Sequence, residues 1–262
     1  MKLSDRFDLV IFDWAGTMVD HGCVAPVHAL LEAFRSHGVN LTEAEARRDM
    51  GKAKKDHVRA LLDEPKIAAA WTQATGRAPG PADCETLIAE LGPLMRDQAA
   101  LAAGLIDGAR ATVDALRAAG LKVASSTGYT RDMMAPVLAA AAAQGYAPEM
   151  VVCSGETPRG RPTPLMVYKI CAELGIFPLT RVVKVDDAEV GIAEGRAAGC
   201  YTVGVAASGN GVGLSEAGLA ALPAHERLER VAASRRALLA AGADAVIDSV
   251  ADLIPTLESA CA

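Results

Sequence analysis

The sequence predicts an α/β fold with a parallel-sheet core and a small all-helical domain inserted after the first strand. Three observations carry this. A short apolar run with Val and Ile, Asp8 to Phe12, ends in a carboxylate, Asp13, close to the N-terminus. Such a run reads as a buried parallel strand that delivers its next residue to the carboxyl edge of a sheet. From Ile106 onward helical and strand patterns alternate, as in a sheet covered on both faces. Between these two regions every periodic segment is helical. The expected division is a core of residues 1–20 and 104–262, with a helical cap of residues 21–103.

The elements follow in order. After Asp20, Pro26 suits a first helical turn, and Val27, Leu30, Leu31 and Phe34 recur at helical spacing up to Gly38. Thr42 and Glu45 have the capping-box form and open a second helix. A third is expected from about Lys52 to Leu62, a fourth from Pro65 to Thr75, then a Gly-Pro loop over 76–81 and a helix from Ala82 to about Leu101. In the alternating region the expected strands are Leu121–Ser125, Met150–Cys153, Val182–Val185, Tyr201–Val205 and Ala245–Asp248. The intervening helices are Asp107–Ala119, Thr130–Gln144, Pro164–Leu174, Ala188–Ala198 and Leu214–Ala241. The last of these has a break at Pro223, and one more helix follows the final strand.

Composition narrows the function classes. Of 262 residues, 51% are hydrophobic and 22% charged, enough for a substantial core in a soluble protein. A net charge of −6 and a pI near 5.4 offer no basic footprint for nucleic acid or an anionic membrane. The start MKLSDRFDLV lacks a signal-peptide core, and no apolar stretch reaches the roughly 18 residues of a membrane span. Six scattered cysteines with no CxxC pair suit reduced thiols, and the expected setting is the cytoplasm.

Four expected loop segments carry polar groups fit for chemistry. Asp13 follows strand one and precedes Gly16 and Thr17. Ser126, Thr127 and Gly128 follow the next expected strand; they suit either an N-cap and turn or an anion site at a helix N-terminus. Arg161 lies in PRGRPTPLM, where an arginine can be a solvated charge or a bidentate partner of phosphoryl oxygens. Adjacent Asp186 and Asp187 end a buried strand, where two carboxylates need partners such as a magnesium ion. In the inserted region, Lys54 and His57 are three apart on one helical face with Val58 and Leu61, whereas Lys55, Asp56 and Arg59 project elsewhere. A lysine on such a face can simply lay its stem over the core. Lys52 is expected to pair with Asp56.

Taken together, FDWAGTMVDHGCVAP, MGKAKKDHVRALL and SSTGYTRDMM resemble the phosphonoacetaldehyde hydrolases, the phosphonatase branch of the haloacid dehalogenase (HAD) superfamily. The likeness extends over most of the chain and is weakest after about residue 208. It implies a Rossmann-like core with a helical cap, a homodimer formed through that cap, and Mg2+. By the resemblance Asp13 is the nucleophile and Lys54 the Schiff-base lysine. Ser126, Thr127, Gly128 and Arg161 bind phosphate, and Asp13, the Ala15 carbonyl and Asp187 bind the metal. Cys23, Met50, His57 and Tyr129 match positions around the substrate's aldehyde. Two departures from the superfamily stand out. Ala15 replaces the acid that phosphatases use to protonate an alkoxide. Gly191 stands where many members carry a further acid about four residues after the metal-binding one, and Glu189 and Glu194 are off that register.

The chemistry fits these groups. Plain hydrolysis of a C–P bond expels a carbanion, whereas an amine condensed with the neighbouring aldehyde gives an iminium that accepts the electron pair as an enamine. No alcohol-type proton donor is then needed at position 15. The implied reaction converts phosphonoacetaldehyde and water to acetaldehyde and phosphate through an aspartyl phosphate. Two alternatives are a HAD phosphomonoesterase or phosphomutase, against which Ala15 counts, and a non-catalytic phosphate-binding HAD-like protein.

Overall fold

The computed structural model describes residues 2–261. A single helical turn, α1 (Leu3–Arg6), precedes strand β1 (Leu9–Phe12). Five helices come next: α2 (Val24–Ser36), α3 (Glu43–Arg47), α4 (Lys54–Asp63), α5 (Pro65–Thr75) and α6 (Pro81–Leu101). The alternating part then runs α7 (Ala109–Ala118), β2 (Lys122–Thr127), α8 (Arg131–Ala143), β3 (Met150–Cys153), α9 (Leu165–Leu174), β4 (Val182–Asp186), α10 (Glu189–Ala198) and β5 (Tyr201–Val205). It closes with α11 (Glu216–Ala221), α12 (Ala224–Ala240), β6 (Ala245–Ile247) and α13 (Leu253–Ala260).

The strands form one sheet in the order β3-β2-β1-β4-β5-β6, and every neighbouring pair is parallel. Strand alternation divides its side chains between two faces. Val10 and Phe12 of β1 join Val123, Val183 and Val185 in the larger core with the inserted helices. Leu9 and Ile11 face the other way, onto Met166, Val167 and Ile170 of α9. All four β1 side chains are fully buried, each stabilising the fold by about 1.5–3 kcal/mol relative to exposure.

The strand order reverses about β1, which has β2 on one side and β4 on the other. Their carboxyl ends bound the crevice at which open α/β sheets bind ligands.

The expected strand and helix types recur, with shifted ends. Strand β2 continues two residues past Ser125, so Ser126 and Thr127 are still in the ladder beside β3. Helix α4 begins at Lys54 rather than Lys52, because Gly51 turns with φ +89°. Lys52 therefore pairs with Asp49 outside the helix, and the expected pairing with Asp56 does not form. The capping box at Thr42 and Glu45 is present. The chain breaks between α11 and α12 at Leu222 and Pro223. The first turn, α1, gave no periodic signal in so short a segment. Among the described residues no helix is long and apolar enough to cross a membrane.

Candidate active site

Three strand ends meet at the crevice. Asp13 follows β1, and its backbone N–H donates to Val185 O of β4 (2.9 Å). Asp186 closes β4 and Asp187 is next. Thr127 closes β2, and Gly128 and Tyr129 follow. Over this edge the turn before α4 lays Met50 and Gly51, and the first residue of α4 adds Lys54, leaving a cleft with about 20 Å³ of water-accessible space. That is room for little more than one water. Gly128 makes the close approach possible: a Cβ there would lie 2.6 Å from Lys52 O and 2.9 Å from Gly51 O.

Beneath the cleft lies a dry ionic network. Arg161 reaches Asp13 Oδ1 at 2.8 Å, Asp186 Oδ2 at 3.4 Å and Glu194 Oε2 at 3.1 Å. It also donates to Ser126 O (2.7 Å) and Oγ (3.0 Å). Lys184, fully buried, stands 2.6 Å from Asp186 Oδ2 and 3.7 Å from Glu194 Oε2. Asp187 Oδ2 accepts from Asn210 N–H (2.7 Å) and from the Cys23 thiol (3.1 Å).

Burial and the nearby Asp186 push Asp13 up to about 6, against the pull of Arg161. Burial, then Asp13 and Asp186, raise Asp187 well above the usual carboxylate range. Burial disfavours the Arg161 cation, but Asp186, Asp13 and Glu194 outweigh it and raise its pKa. Burial likewise keeps Cys23 a neutral thiol, its pKa raised further by Asp187.

A divalent cation fits this set of donors. Ligand oxygens of Asp13, Asp186 and Asp187 all lie within 4.8 Å of one another. The four buried carboxyl groups of Asp13, Asp186, Asp187 and Glu194 outnumber the buried basic groups of Arg161, Lys184 and Lys54, in a medium that penalises unbalanced charge. A hard, oxygen-seeking cation supplies the missing positive charge.

Lys54 is 3% exposed. Its ammonium sits 5.2 Å from the centre of the Tyr129 ring and 3.8 Å from Met50 Sδ. Burial lowers its pKa to about 8, although Cys23 and Asp13 act the other way. His57, one turn along α4, is fully buried, and burial with the neighbouring Lys54 charge lowers it to about 3. Among the described residues neither His57 ring nitrogen, nor the Tyr129 hydroxyl, has a hydrogen-bond partner.

The structure brings most of the sequence-expected residues together. Asp13, Ala15, Cys23, Met50, Lys54, Thr127, Gly128, Tyr129, Arg161 and Asp187 line one cleft. Ser126 and His57 do not line it. The Ser126 hydroxyl is engaged by Arg161 and donates to Glu194 (3.2 Å), and His57 packs behind Lys54. Sequence reasoning missed Lys184, Glu194, Asn210 and the place of Asp186. Lys184 was visible as a charge inside the apolar run VVKV, a pattern that demands a buried counter-ion.

Comparison with known proteins shows the family to which the chain belongs. Residues 7–199 match the haloacid dehalogenase-like hydrolase family. The phosphonoacetaldehyde hydrolase of Paraburkholderia phytofirmans is 46% identical over 95% of this chain and 93% of its own. That of Bacillus cereus strain B4264 is 38% identical over 97% of this chain and 96% of its own. A crystal structure of a phosphonoacetaldehyde hydrolase-like protein from Oleispira antarctica superposes with a TM-score of 0.95 at 41% identity, covering 97% of this chain and 92% of the other. With this identity over nearly its whole length, on a shared fold, the chain belongs to the phosphonoacetaldehyde hydrolase family of the haloacid dehalogenase-like hydrolases.

Proposed function

We propose that this protein hydrolyses the C–P bond of phosphonoacetaldehyde to acetaldehyde and phosphate, with Lys54 as electron sink and Asp13 as nucleophile. The carrying observation is one cleft lined by a buried lysine and a buried aspartate, with Ala15 where a phosphatase needs an acid. The free amine of Lys54 adds to the aldehyde carbon, and loss of water leaves an iminium. An Asp13 carboxylate oxygen then attacks phosphorus, and the C–P electron pair moves into the enamine. Protonation of the enamine carbon and addition of water release acetaldehyde and regenerate the amine. A second water cleaves the aspartyl phosphate.

Each residue has a physical task in this scheme. A dry pocket lowers the Lys54 pKa to about 8, so the nucleophilic amine is populated near neutral pH. Arg161, already fixed by Asp13 and Glu194, presents its guanidinium to the phosphoryl oxygens together with Thr127 and Gly128. Tyr129 and Met50 flank the amine, and Cys23 holds Asp187. Mg2+ would be held by Asp13, the Ala15 carbonyl and Asp187, and when bound it neutralises phosphoryl charge.

Helices α2–α6 serve as the cap, with a domain division at residues 21–103. The family resemblance further supports a homodimer joined through that cap. Six free, buried cysteines suit the reducing cytoplasm. The direct test is the product ratio: phosphate and acetaldehyde should appear in equal amounts from phosphonoacetaldehyde. Comparable turnover of several sugar phosphates would favour the phosphomonoesterase reading instead.

A further inference from the structure

Arg47, the last residue of α3, joins the inserted helices to the core at a point outside the cleft. Its Nη1 donates to Gly22 O (2.7 Å), Cys23 O (3.4 Å) and Asn210 Oδ1 (3.2 Å), and its Nη2 to Gly213 O (2.9 Å). Asn210 answers from Nδ2 to Arg47 O (3.3 Å). Asn210 and Gly213 belong to the core loop between β5 and α11, whereas Gly22 and Cys23 lead into α2. One guanidinium thus ties together the core, the entry to the inserted helices, and α3. We infer that Arg47 is a positioning residue for the proposed reaction: it clasps the inserted helices onto the core and so seats Met50 and Lys54 over the cleft.

The socket is shaped for this group. Gly213 turns with φ +70°, and a Cβ there would lie 2.8 Å from Arg47 Nε and 2.9 Å from its Cζ, so a bare residue leaves the room that the side chain takes. Three of the four acceptors are backbone carbonyls, which cannot swing away as side chains do. Their spread suits a planar fork of donors better than a single ammonium. The loop is itself tied down. Ser208 O accepts from Gly22 N–H (2.7 Å), and Ser208 Oγ donates to Gly16 O (2.8 Å). A surface ion pair does not explain the arrangement: Glu43 stands 3.9 Å away and is 61% exposed, against 13% for the Arg47 side chain, and such a pair contributes little.

A short path leads from the clasp to the cleft. The Arg47 carbonyl that meets Asn210 also accepts from Met50 N–H (3.0 Å). That bond opens the turn that lays Met50 and Gly51 over the cleft, and Lys54 begins the helix that follows. Elsewhere the same turn rests on Gly128. The two seats differ in kind. Backbone against a bare glycine sets how near the turn can come but does little to keep it there. The hydrogen bonds of Arg47 are directional and charge-assisted, and they resist separation.

The inference rests on the reading of α2–α6 as a cap over the proposed active site, and one arm of the test needs no turnover. Lysines of the full-length protein are acetylated with an N-hydroxysuccinimide ester and mapped by mass spectrometry. Lys54 reports whether the cleft is covered, and Lys184, fully buried in the sheet, reports general loosening. Arg47→Ala should speed acetylation of Lys54 about 10-fold or more, the effect of losing hydrogen bonds to a charged group, and leave Lys184 unmarked. Asn210→Ala spares the backbone N–H and should speed it several-fold, giving the same reading should Arg47→Ala not fold. Adding it to Arg47→Ala should change little further, because both act through one contact. Arg47→Lys should restore part of the protection. In Arg47→Ala kcat should fall about 10-fold or more with KM within a few-fold of wild type, since the phosphate-binding groups stay on the core. Wild-type rates of Lys54 acetylation in Arg47→Ala and Asn210→Ala overturn the inference. Marking of Lys184 alongside Lys54 also overturns it, as does an exposed Lys54 with kcat unchanged. A wild-type protein that releases no phosphate from phosphonoacetaldehyde overturns the proposed function instead, and the acetylation still reads the clasp.

Discussion

At the scale of single residues, burial sets the chemistry of Lys54. An unperturbed lysine has a pKa of about 10.4, and the dry pocket brings this one down to about 8. At pH 7 roughly a tenth of the molecules then hold a free amine, against fewer than about one in a thousand for an exposed lysine. The rate at sub-saturating substrate should therefore climb with pH up to about 8 and level off above it, measured as kcat/KM. A profile flat between pH 6 and 8 would remove Lys54 from the chemistry. Lys54→Arg should lose activity by a factor on the order of 10³ or more and lose the stable mark left by borohydride with acetaldehyde. Lys52→Arg and Lys55→Arg should keep both, because their side chains lie off the buried face. Asp13→Asn, which keeps shape and removes the attacking anion, should fall by a similar factor. A variant retaining a tenth of wild-type turnover would show that another group attacks phosphorus. The places of Asp13 at a strand end and of Lys54 on a buried helical face were legible in local patterns, whereas the roles proposed for them came from the family resemblance. The pairing of Lys184 with Glu194 was not legible, because it exists only once α10 lies across β4. No spacing within either segment encodes that crossing.

Among the elements, the turn before α4 decides how the inserted helices meet the sheet. The periodicity of the sequence located the helix but not its first residue, since a turn of Gly51 and Lys52 continues the polar pattern of the helix it precedes. What ends the ambiguity is a long-range contact of that turn with Gly128, which no local signal reports. The contact is backbone against a bare glycine, so it cannot yield by rotating a side chain. Gly128→Ala should push the turn and Lys54 outward by something near an ångström, a displacement able to cost about 100-fold in rate. The fold should lose only about 1–3 kcal/mol, the usual cost of overpacking. Paired measurements of kcat/KM and urea unfolding would check this. Unchanged activity would mean that Lys54 does not depend on the seating of the turn.

For the molecule as a whole, the active site is a store of unfavourable charge inside the sheet that the rest of the fold must hold together. Four carboxyl groups meet the basic groups of Arg161, Lys184 and Lys54 with almost no solvent among them, and the raised pKa of Asp187 records its burial first and then the neighbouring Asp13 and Asp186. Unfolding disperses these charges into water, so without a bound cation they favour the unfolded chain. A cation bound by the folded state alone reverses this by mass action, stabilising it by about 2.7 kcal/mol at 100 times its dissociation constant. For a chain of this size each kcal/mol moves the melting temperature by about 2–4 °C. Mg2+ at that excess should thus raise the melting temperature by about 5–10 °C over the same protein in EDTA. Asp187→Ala removes one of the crowded acids and one of the ligands together. It should therefore melt at or above the wild type in EDTA yet gain little from Mg2+, and its activity should need far more of the ion. Equal Mg2+ shifts in the two proteins would place the cation elsewhere.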